Sequence, residues 1–245
     1  MQAVILAGGK GRRLRPYTAV FPKPLMPLGD RPILEILIQQ LAQQGINDIY
    51  IAVGHLAELV MTFFGDGRNL GVRIQYVRED TPLSTAGALG LLDGELQGTF
   101  LVLMGDVLTD LRFQDLVRYH HEQQAAATVS LALRKVELDF GLVDIGEDRN
   151  VVGWREKPIL EYLVSMGIYA LDSSVTRTVP RGVQYGFPEL VLQLLADERR
   201  VRAYVHDGYW LDIGRPQDYE TAIQYMEEHP EMFPSAQPNR TAPSD

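Results

Sequence analysis

The sequence predicts an α/β protein with one central, mainly parallel β-sheet. In the first half of the chain, short apolar runs alternate with segments whose apolar residues recur at helical spacing, and a β-α-β-α order requires parallel strands. In the second half, strand-like segments follow one another across charged turns. That pattern is typical of a smaller antiparallel or mixed addition to the sheet.

The elements of the first half are predicted from both their periodicity and their ends. The opening strand, Ala3 to Ala7, stops at Gly8-Gly9, and the run from Phe100 to Met104 is uninterrupted, as in a central buried strand. Apolar residues at helical spacing over 33–44, followed by Gly45, indicate the first helix. The other predicted elements here are a strand at 48–53, a helix at 55–64, a strand at 72–77 and a helix at 85–92.

The second half is predicted to complete one domain over residues 1–229. Residues 230–245 contain Pro, Ser and Asn and are predicted to form a disordered tail. The predicted elements are strands at 128–134, 141–145, 151–156 and 163–171, a helix at 188–196, a strand at 201–206 and a helix at 216–228.

The composition excludes several classes of function. The chain has 245 residues with 23 Lys and Arg against 32 Asp and Glu, and its formal net charge of -9 argues against nucleic acid as a partner. The absence of cysteine excludes disulfides, thiolate catalysis and cysteine-based zinc sites. The histidines are scattered and form no metal-binding pattern, and the apolar runs are too short for a membrane span or a signal peptide core. We therefore expect a cytoplasmic protein without a membrane partner.

A glycine-rich, basic loop follows the first strand and reads Gly-Gly-Lys-Gly-Arg-Arg-Leu-Arg-Pro-Tyr-Thr over residues 8–18. Its glycines let backbone N–H groups converge on phosphate oxygens. The cations of this region in an acidic chain indicate an anionic ligand, with a plain strand-to-helix turn as the alternative; they are Lys10, Arg12, Arg13, Arg15 and Lys23. The loop is not a dinucleotide fingerprint, because Leu14 replaces the third glycine, and no Gly-Lys-Ser/Thr sequence of a Walker loop occurs.

The stretch from Gly8 to Thr18, together with Pro22-Lys23-Pro24-Leu25, resembles the signature of the sugar-1-phosphate nucleotidyltransferases, also called NDP-sugar pyrophosphorylases. The resemblance is closest to mannose-1-phosphate guanylyltransferase-like members and extends to about Glu228. It implies a single Rossmann-like domain with a mixed, mainly parallel sheet and a smaller antiparallel sugar-binding addition. Arg12 departs from the family, which more often has a small hydroxyl residue there. The resemblance implies nucleotide contacts for Leu6, Ala7, Gly8, Gly9 and Gly11.

Two aspartates are the predicted metal ligands. Asp106 ends the strand at 100–104, and open α/β sheets bind their ligands at the carboxyl ends of strands; a plain Gly-Asp turn is the alternative. The segment Trp210-Leu211-Asp212-Ile213-Gly214 is similar to a Trp-x-Asp-x-Gly segment of the family, which implies that Asp212 joins Asp106 on Mg²⁺. Asp110 ranks below both as a ligand.

A second group of residues resembles the sugar site of the family. The Glu156-Lys157-Pro158 motif implies that Glu156 binds sugar hydroxyls and that Lys157 lies near the sugar phosphate, with a charged turn as the alternative. Gly141 matches a glycine against which the sugar lies. Ser165 stands where the family commonly has Asn, which leaves the identity of the sugar open.

The segment from Tyr76 to Leu89, which includes Thr85 and Gly87, resembles the base-reading region of the family. Glu79 stands where thymidylyl and uridylyl members tend to have Gln. An ionised Glu only accepts hydrogen bonds and suits the paired N–H donors of guanine, which favours GTP. A solvent-facing acid is the alternative interpretation of Glu79.

The resemblance implies nucleotidyl transfer from an NTP to a sugar 1-phosphate, with mannose or a heptose phosphate favoured as the acceptor. The predicted catalytic set is Arg13, Lys23, Asp106 and Asp212, with Arg13 on the triphosphate and Lys23 near the α-phosphate. Thymidylyl or uridylyl transfer to glucose 1-phosphate, a non-sugar acceptor such as phosphocholine, and a non-catalytic nucleotide-sugar-sensing subunit remain alternatives. The oligomeric state is open, with a homo-oligomer among the options.

Overall fold

The structure is a computed structural model that describes residues 1–233. Within that range the helices are α1 (Ile33–Gln43), α2 (Ala57–Phe64), α3 (Phe113–Glu122), α4 (Phe187–Ala196) and α5 (Pro216–Glu228). The strands are β1 (Gln2–Leu6), β2 (Pro27–Leu28), β3 (Arg31–Pro32), β4 (Asp48–Val53), β5 (Arg73–Arg78), β6 (Thr99–Met104), β7 (Val107–Thr109), β8 (Ala127–Glu137), β9 (Leu142–Ile145), β10 (Val151–Arg155), β11 (Ile159–Asp172), β12 (Val201–His206) and β13 (Trp210–Asp212).

Seven strands form the central sheet in the order β12-β8-β11-β6-β1-β4-β5. All neighbours pair in parallel except β11, which is antiparallel to both β6 and β8. The predicted mixed, mainly parallel sheet is therefore confirmed. Because β1, β4 and β6 run in the same direction, the segments that follow them meet at one edge of the sheet.

Both faces of the sheet are covered by helical layers, which explains the uninterrupted apolar runs of its central strands. Alternate residues of β6 point to opposite faces: Leu103 joins the cluster that contains residues of α1, α2 and α3, and Val102 joins the cluster that contains residues of α4. A third cluster packs α5 against β13, with Ile213 and Ala222 fully buried.

The antiparallel addition extends from this sheet and is here named the hairpin arm, residues 133–163. It comprises the outer halves of β8 and β11 and the two-stranded sheet of β9 and β10, and it confirms the prediction of antiparallel structure in the second half. The arm is exposed, unlike the central sheet. Its large apolar residues that face solvent include Leu133, Phe140, Ile145, Val151, Trp154 and Ile159.

Several elements differ from the sequence predictions. Helix α3 was not predicted, because buried His120 takes a position where the helical pattern requires an apolar residue. The segment predicted as a helix at 85–92 is a 3-10 helix over Gly87–Leu92, and α2 begins at Ala57 rather than at residue 55. Strand β11 covers Ile159–Asp172, more than the predicted 163–171, because its outer half pairs with β8 beyond the central sheet.

The predicted tail also differs at its start. Pro230–Met232 form a 3-10 helix and Phe233 is buried against the third cluster, so ordered chain continues past residue 229. Residues 234–245, to which the rest of that prediction applies, lie outside the described range. The prediction that residues 1–229 form one domain stays a prediction. Within residues 1–233, every helix is too short or too polar to cross a membrane.

Candidate active site

A pocket of about 380 Å³ opens at the carboxyl edge of the sheet. Its wall is built from the loops that follow β1, β5 and β6, together with Gly214 after β13. Most of the residues predicted to bind nucleotide line it, namely Leu6, Ala7, Gly8, Gly9, Gly11, Glu79 and Thr85. Three of the predicted catalytic residues, Arg13, Lys23 and Asp106, line it as well.

The glycine-rich loop keeps its shape through contacts that only glycine permits. A Cβ on Gly54, the residue after β4, would lie 2.9 Å from the carbonyl oxygen of Gly8, so a side chain there would push the loop away. Gly11 has φ of +56°, and its Cβ would lie 2.9 Å from the methyl carbon of Thr18. The Thr18 hydroxyl donates a hydrogen bond of 2.7 Å to the Gly11 carbonyl. The loop therefore lies against β4 on one side and is closed by Thr18 on the other.

A short antiparallel ladder brings the two predicted metal ligands together. Strand β13 pairs with β7 so that Asp212 lies opposite Val107, and the backbone N–H of Ile213 donates a hydrogen bond of 3.0 Å to the carbonyl of Asp106. Burial raises the pKa of Asp212, and the charge of the nearby Asp106 raises it further. The two carboxylates thus share one electrostatic environment at the edge of the pocket.

Each of these carboxylates faces a cation from the loop region. Lys23 Nζ donates to Asp106 Oδ2, and both side chains are largely buried, at 11% and 25% exposed. Arg13 Nη2 lies 4.0 Å from Asp212 Oδ2. A Cβ on Gly214 would lie 3.0 Å from three atoms of the Arg13 guanidinium, so the absence of a side chain at Gly214 makes room for it. In the sequence Gly214 belongs to the segment similar to Trp-x-Asp-x-Gly but was not predicted as a site residue, and its place two residues after Asp212 was the available signal.

The donor set fits a divalent metal ion that shares its coordination with substrate. Two nearby carboxylates, one with a raised pKa, form a site where a cation relieves repulsion. Mg²⁺ is commonly held by one or two carboxylates together with waters and substrate phosphates. Across residues 1–233, no group of three or more histidine and acidic side chains surrounds a common point. The two aspartates therefore suit an open site rather than a closed protein cage.

Both the backbone and the side chain of Glu79 are held in the pocket by hydrogen bonds. Its backbone N–H donates to the carbonyl of Val53 at 2.8 Å, and its Oε2 accepts a hydrogen bond of 3.0 Å from the backbone N–H of Leu83. A Cβ on Gly8 would lie 2.8 Å from Glu79 Oε1, so the carboxylate lies directly on the glycine-rich loop. Burial raises the pKa of Glu79, and the hydrogen bond from Leu83 partly offsets that effect. The interpretation of Glu79 as a solvent-facing acid does not fit these contacts.

The other two residues of the predicted base-reading region differ in their roles. Thr85 lines the pocket, and its Oγ1 accepts a hydrogen bond of 3.0 Å from the backbone N–H of Phe187. Gly87 is buried and is not part of the pocket wall: its Cβ would lie 2.8 Å from the carbonyl oxygen of Val183. The structure therefore gives Gly87 a packing role beneath the pocket.

The predicted sugar residues lie on the hairpin arm and not on the wall of this pocket. Gly141 and Glu156 are neighbours, because a Cβ on Gly141 would lie 3.0 Å from Glu156 Oε2. Lys157 is exposed and has φ of +41°, which is unusual for a residue with a side chain. The Ser165 hydroxyl lies 3.0 Å from the Tyr169 hydroxyl, so it has a partner within β11.

Asp110 has a structural partner of its own. His206 Nε2 lies 2.6 Å from Asp110 Oδ1, and a Cβ on Gly208 would lie 2.3 Å from the same oxygen. The contact with His206 attaches the end of β12 to the residue that follows β7. The contact with His206 is consistent with the ranking of Asp110 below Asp106 and Asp212 as a metal ligand.

The sequence and the architecture agree with a family match over almost the whole described chain. A family model described as nucleotidyl transferase matches residues 2–229. The chain belongs to this family. The glycine-rich loop, Asp106 of the pocket wall and Asp212 beside it lie within the matched residues.

Curated relatives of this nucleotidyl transferase have different nucleotides in their names. The chain is 35% identical to the UTP–glucose-1-phosphate uridylyltransferase of Synechocystis, over 91% of this chain and 63% of the relative. It is 34% identical to the mannose-1-phosphate guanylyltransferase of Mycobacterium tuberculosis, over 89% of this chain and 62% of the relative. It thus spans slightly less than two thirds of the length of these two relatives.

A third relative and a solved structure match over nearly their whole length. The D-glycero-alpha-D-manno-heptose 1-phosphate guanylyltransferase of Campylobacter jejuni is 32% identical, over 89% of this chain and 97% of the relative. The crystal structure of HddC from Yersinia pseudotuberculosis superposes with a TM-score of 0.72 at 25% identity, covering 92% of this chain and 99% of that one. The nucleotidyl transferase fold of the chain is therefore found in a solved structure.

Proposed function

We propose that this chain transfers a nucleoside monophosphate from an NTP to a sugar 1-phosphate, giving an NDP-sugar and pyrophosphate. The observation that carries the proposal is a pocket lined by the glycine-rich loop, Arg13, Lys23 and Asp106, with Asp212 paired to Arg13 beside it. Family membership and the names of the relatives support the same reaction.

The reaction is an in-line displacement at the α-phosphorus. A phosphate oxygen of the sugar 1-phosphate forms the new bond to that phosphorus, while the bond to the bridging oxygen breaks and pyrophosphate leaves with the electron pair. The acceptor needs no general base, because a phosphate monoester with a second pKa of about 6 is already mostly dianionic at neutral pH. The barrier is electrostatic, since two polyanions approach and charge grows on the leaving group.

Two cations of the loop region, Arg13 and Lys23, stabilise the negative charge of the phosphates. Arg13 donates a fork of N–H groups to the triphosphate, and Lys23 provides a point charge near the α-phosphate. In the structure both cations pair with carboxylates, Arg13 with Asp212 and Lys23 with Asp106. Nucleotide binding exchanges these partners, because the phosphates take the cations.

Asp106 and Asp212 would hold Mg²⁺, which supplies charge neutralisation at the phosphate oxygens when bound. The pairing of β7 with β13 and the hydrogen bond from Ile213 to Asp106 hold the two aspartates near each other. The cost of this arrangement is visible in the raised pKa of Asp212. The chain therefore preorganises its acidic ligands at the expense of burying Asp212 and of its repulsion by Asp106.

GTP is the nucleotide that the pocket favours. Glu79 is fixed by Val53 and Leu83 against Gly8, and in its ionised form it accepts the N1–H and N2–H donors of guanine. Two of the three relatives described above are named guanylyltransferases, and the uridylyltransferase supports the alternative of a pyrimidine nucleotide.

The acceptor is mannose 1-phosphate or a heptose 1-phosphate, held from the side of the hairpin arm. Glu156 accepts hydrogen bonds from sugar hydroxyls, the backbone at Gly141 lies against the sugar, and Lys157 interacts with its phosphate. The proximity of Glu156 to Gly141 supports a common sugar site. The names of the Mycobacterium and Campylobacter relatives support these two sugars.

The test is pyrophosphate release by purified protein with Mg²⁺. Each of GTP, dTTP, UTP, CTP and ATP is combined with mannose, glucose and heptose 1-phosphates, and the Asp106→Ala variant is the control. Release with GTP and mannose or heptose 1-phosphate, lost in the control, is the expected result. Release only with UTP or dTTP would overturn the role of Glu79 and keep the mechanism. If no combination releases pyrophosphate although nucleotide still binds, the proposed reaction is overturned in favour of a sensing subunit or a non-sugar acceptor.

A further inference from the structure

The hairpin arm carries a contact that neither the family motif nor the predicted site includes. The indole N–H of Trp154 donates a hydrogen bond of 3.0 Å to Glu156 Oε2. The same ring lies on Gly141, since a Cβ there would be 2.6 Å from Trp154 Cζ2 and 2.9 Å from Cε2. Gly141, Trp154 and Glu156 thus form one cluster, here named the Trp154 cluster.

The architecture of the arm explains why these three residues meet. Gly141 directly precedes β9, and Glu156 directly follows β10, so the antiparallel pairing of the two strands brings them to the same end of the hairpin. Trp154 lies opposite Val143 in this pairing. A side chain at Gly141 would collide with the ring and crowd the Glu156 carboxylate. The missing side chain is what allows the indole to lie against the backbone and reach Glu156.

The hydrogen bond has a consequence for Glu156. An exposed Glu samples many rotamers, and ordering it on ligand binding costs free energy. The indole N–H occupies one acceptor position of Oε2 and holds the carboxylate in one orientation. Oε1 then remains available for hydrogen bonds from a ligand, because an ionised carboxylate has about four acceptor positions.

The ring itself offers a second kind of contact. Trp154 is 64% exposed, although indole is a large apolar group whose surface proteins usually cover. Its exposed ring lies next to the carboxylate that it orients. A pyranose has both features that this arrangement matches, namely hydroxyls for Glu156 and a face of C–H groups for the ring.

We propose that Trp154 is a positioning residue for the sugar acceptor, which holds Glu156 by its indole N–H and supports the sugar with its ring. This inference rests on the proposed function, because it assigns Trp154 to the sugar side of the same site. It extends the sugar site beyond the Glu-Lys-Pro motif to the residue two positions before Glu156.

Three variants separate the two contributions of the indole. Trp154→Phe keeps an aromatic ring and removes the N–H donor, whereas Trp154→Leu removes both. Val151→Ala is the matched control, because Val151 is an apolar residue of the same strand with 65% exposure. We expect Trp154→Phe to raise KM for the sugar 1-phosphate about 5-fold, as for the net loss of one exposed hydrogen bond, and Trp154→Leu to raise it at least about 10-fold, because the ring contact is lost as well. KM for the NTP stays unchanged in both, and Val151→Ala matches wild type.

A binding measurement gives a readout that does not need turnover. The chain has two tryptophans, Trp154 and Trp210, so Trp154→Phe leaves only Trp210. Tryptophan emission is measured during titrations with GDP-mannose and with GDP, and likewise with UDP-glucose and with UDP. The difference between the two members of each pair is the effect of the sugar. We expect one of the nucleotide sugars to change the emission of wild-type protein more than its nucleoside diphosphate does, and this difference to disappear in Trp154→Phe.

The outcomes separate this inference from the proposed function. If wild-type protein releases pyrophosphate but both Trp154 variants keep the KM values of Val151→Ala, the role of Trp154 is overturned and the reaction stands. If the sugar-dependent emission change persists in Trp154→Phe, it comes from Trp210 and the ring contact is overturned. If no pair of substrates reacts, the proposed function fails. In that case a sugar-dependent emission change from Trp154 would still support sugar binding on the arm, and the absence of this change would overturn the role of Trp154.

Discussion

The pocket at the carboxyl edge and the hairpin arm hold their polar residues in different ways. In the pocket, Lys23 and Asp106 are 11% and 25% exposed and pair with each other beside the central sheet. On the arm, Trp154 is 64% exposed, and the Trp154 cluster depends on a two-stranded hairpin. The pocket is therefore supported by the core of the protein, and the arm is supported mainly by its own strands.

This difference matches the two tasks of the proposed reaction. Charges that stabilise a transition state act best when they are fixed and partly desolvated, because reorganisation and screening then cost little. Recognition of an acceptor tolerates an exposed support, since binding sites on peripheral segments can vary without affecting the core. We therefore expect pocket substitutions to lower kcat and arm substitutions to raise the acceptor KM.

Asp106→Asn tests the pocket side of this comparison with the largest expected effect. The substitution removes one carboxylate from the proposed metal site and leaves Lys23 without its anionic partner. We expect kcat to fall about 1,000-fold, which corresponds to about 4 kcal/mol of lost transition-state stabilisation. Steady-state pyrophosphate release at saturating substrates measures it.

Asp110→Asn is the matched control for that prediction. Asp110 is a nearby carboxylate whose partner is His206 rather than a cation of the pocket. Its substitution is expected to leave kcat within about 3-fold of wild type. A similar loss in both variants would contradict the assignment of the metal site to Asp106, and so would activity of Asp106→Asn within about 10-fold of wild type.

Gly214→Ala tests whether the position of Arg13 matters. The new methyl group would lie 3.0 Å from the guanidinium, which is 63% exposed and free to move aside. We expect kcat/KM for the NTP to fall about 10-fold, because displacement of the fork weakens its contact with the triphosphate. In an Arg13→Ala background the same substitution should have no further effect. Equal losses in both backgrounds would show that Gly214 acts through something other than Arg13.

Glu79→Gln tests base selection within the pocket. A Gln can donate as well as accept, so we expect kcat/KM to fall about 10-fold for GTP and to rise for UTP or dTTP. Asp80→Asn, which removes the same charge from the exposed neighbouring residue, should leave the ratio of GTP to UTP unchanged. An unchanged ratio in Glu79→Gln would contradict the role of Glu79.

The pH dependence of GTP use provides an independent check on Glu79. Burial raises the pKa of this carboxyl group, so it gains its proton at a higher pH than an ordinary Glu does. Because only the ionised form accepts from both guanine donors, we expect KM for GTP in wild-type protein to rise as the pH falls from neutral toward that raised pKa. Glu79→Gln has no proton to gain there, so its KM for GTP should lack this rise.

The parts of the fold that could be predicted from sequence are those with strong local patterns. Strand β6 is recognisable because burial on both faces requires an uninterrupted apolar run. Helix α3 was missed because His120, which is 2% exposed and bonded to Thr128, occupies a core position with a polar side chain. The apolar pattern along one segment cannot predict a buried polar side chain whose hydrogen-bond partner lies on another element.

In the candidate site, too, the residues that belong to local motifs could be predicted, and the contacts between distant segments could not. Arg13, Lys23 and Asp106 come from motifs, but their contacts depend on pairing between distant segments. The ladder of β7 with β13 that sets Asp212 beside Asp106 is only three residues long on each side, too short for sequence patterns to reveal. The contact of Trp154 with Gly141 depends on the register of the hairpin, which shifts between Val151 and Gly153. A change of register by one residue would turn the ring to the opposite face.

Gly141→Ala tests the arm side of the comparison, with the smallest expected effect. A Cβ there would lie 2.6 Å from the ring of Trp154, and because the ring is exposed it can swing into solvent without disturbing the core. We expect KM for the sugar 1-phosphate to rise about 5-fold, with kcat, KM for the NTP and Tm close to wild type. The double variant with Trp154→Leu should be no worse than Trp154→Leu alone, because both changes remove the same arrangement. A fall in kcat or a loss of several degrees in Tm would instead mean that the arm is coupled to the core as tightly as the pocket is.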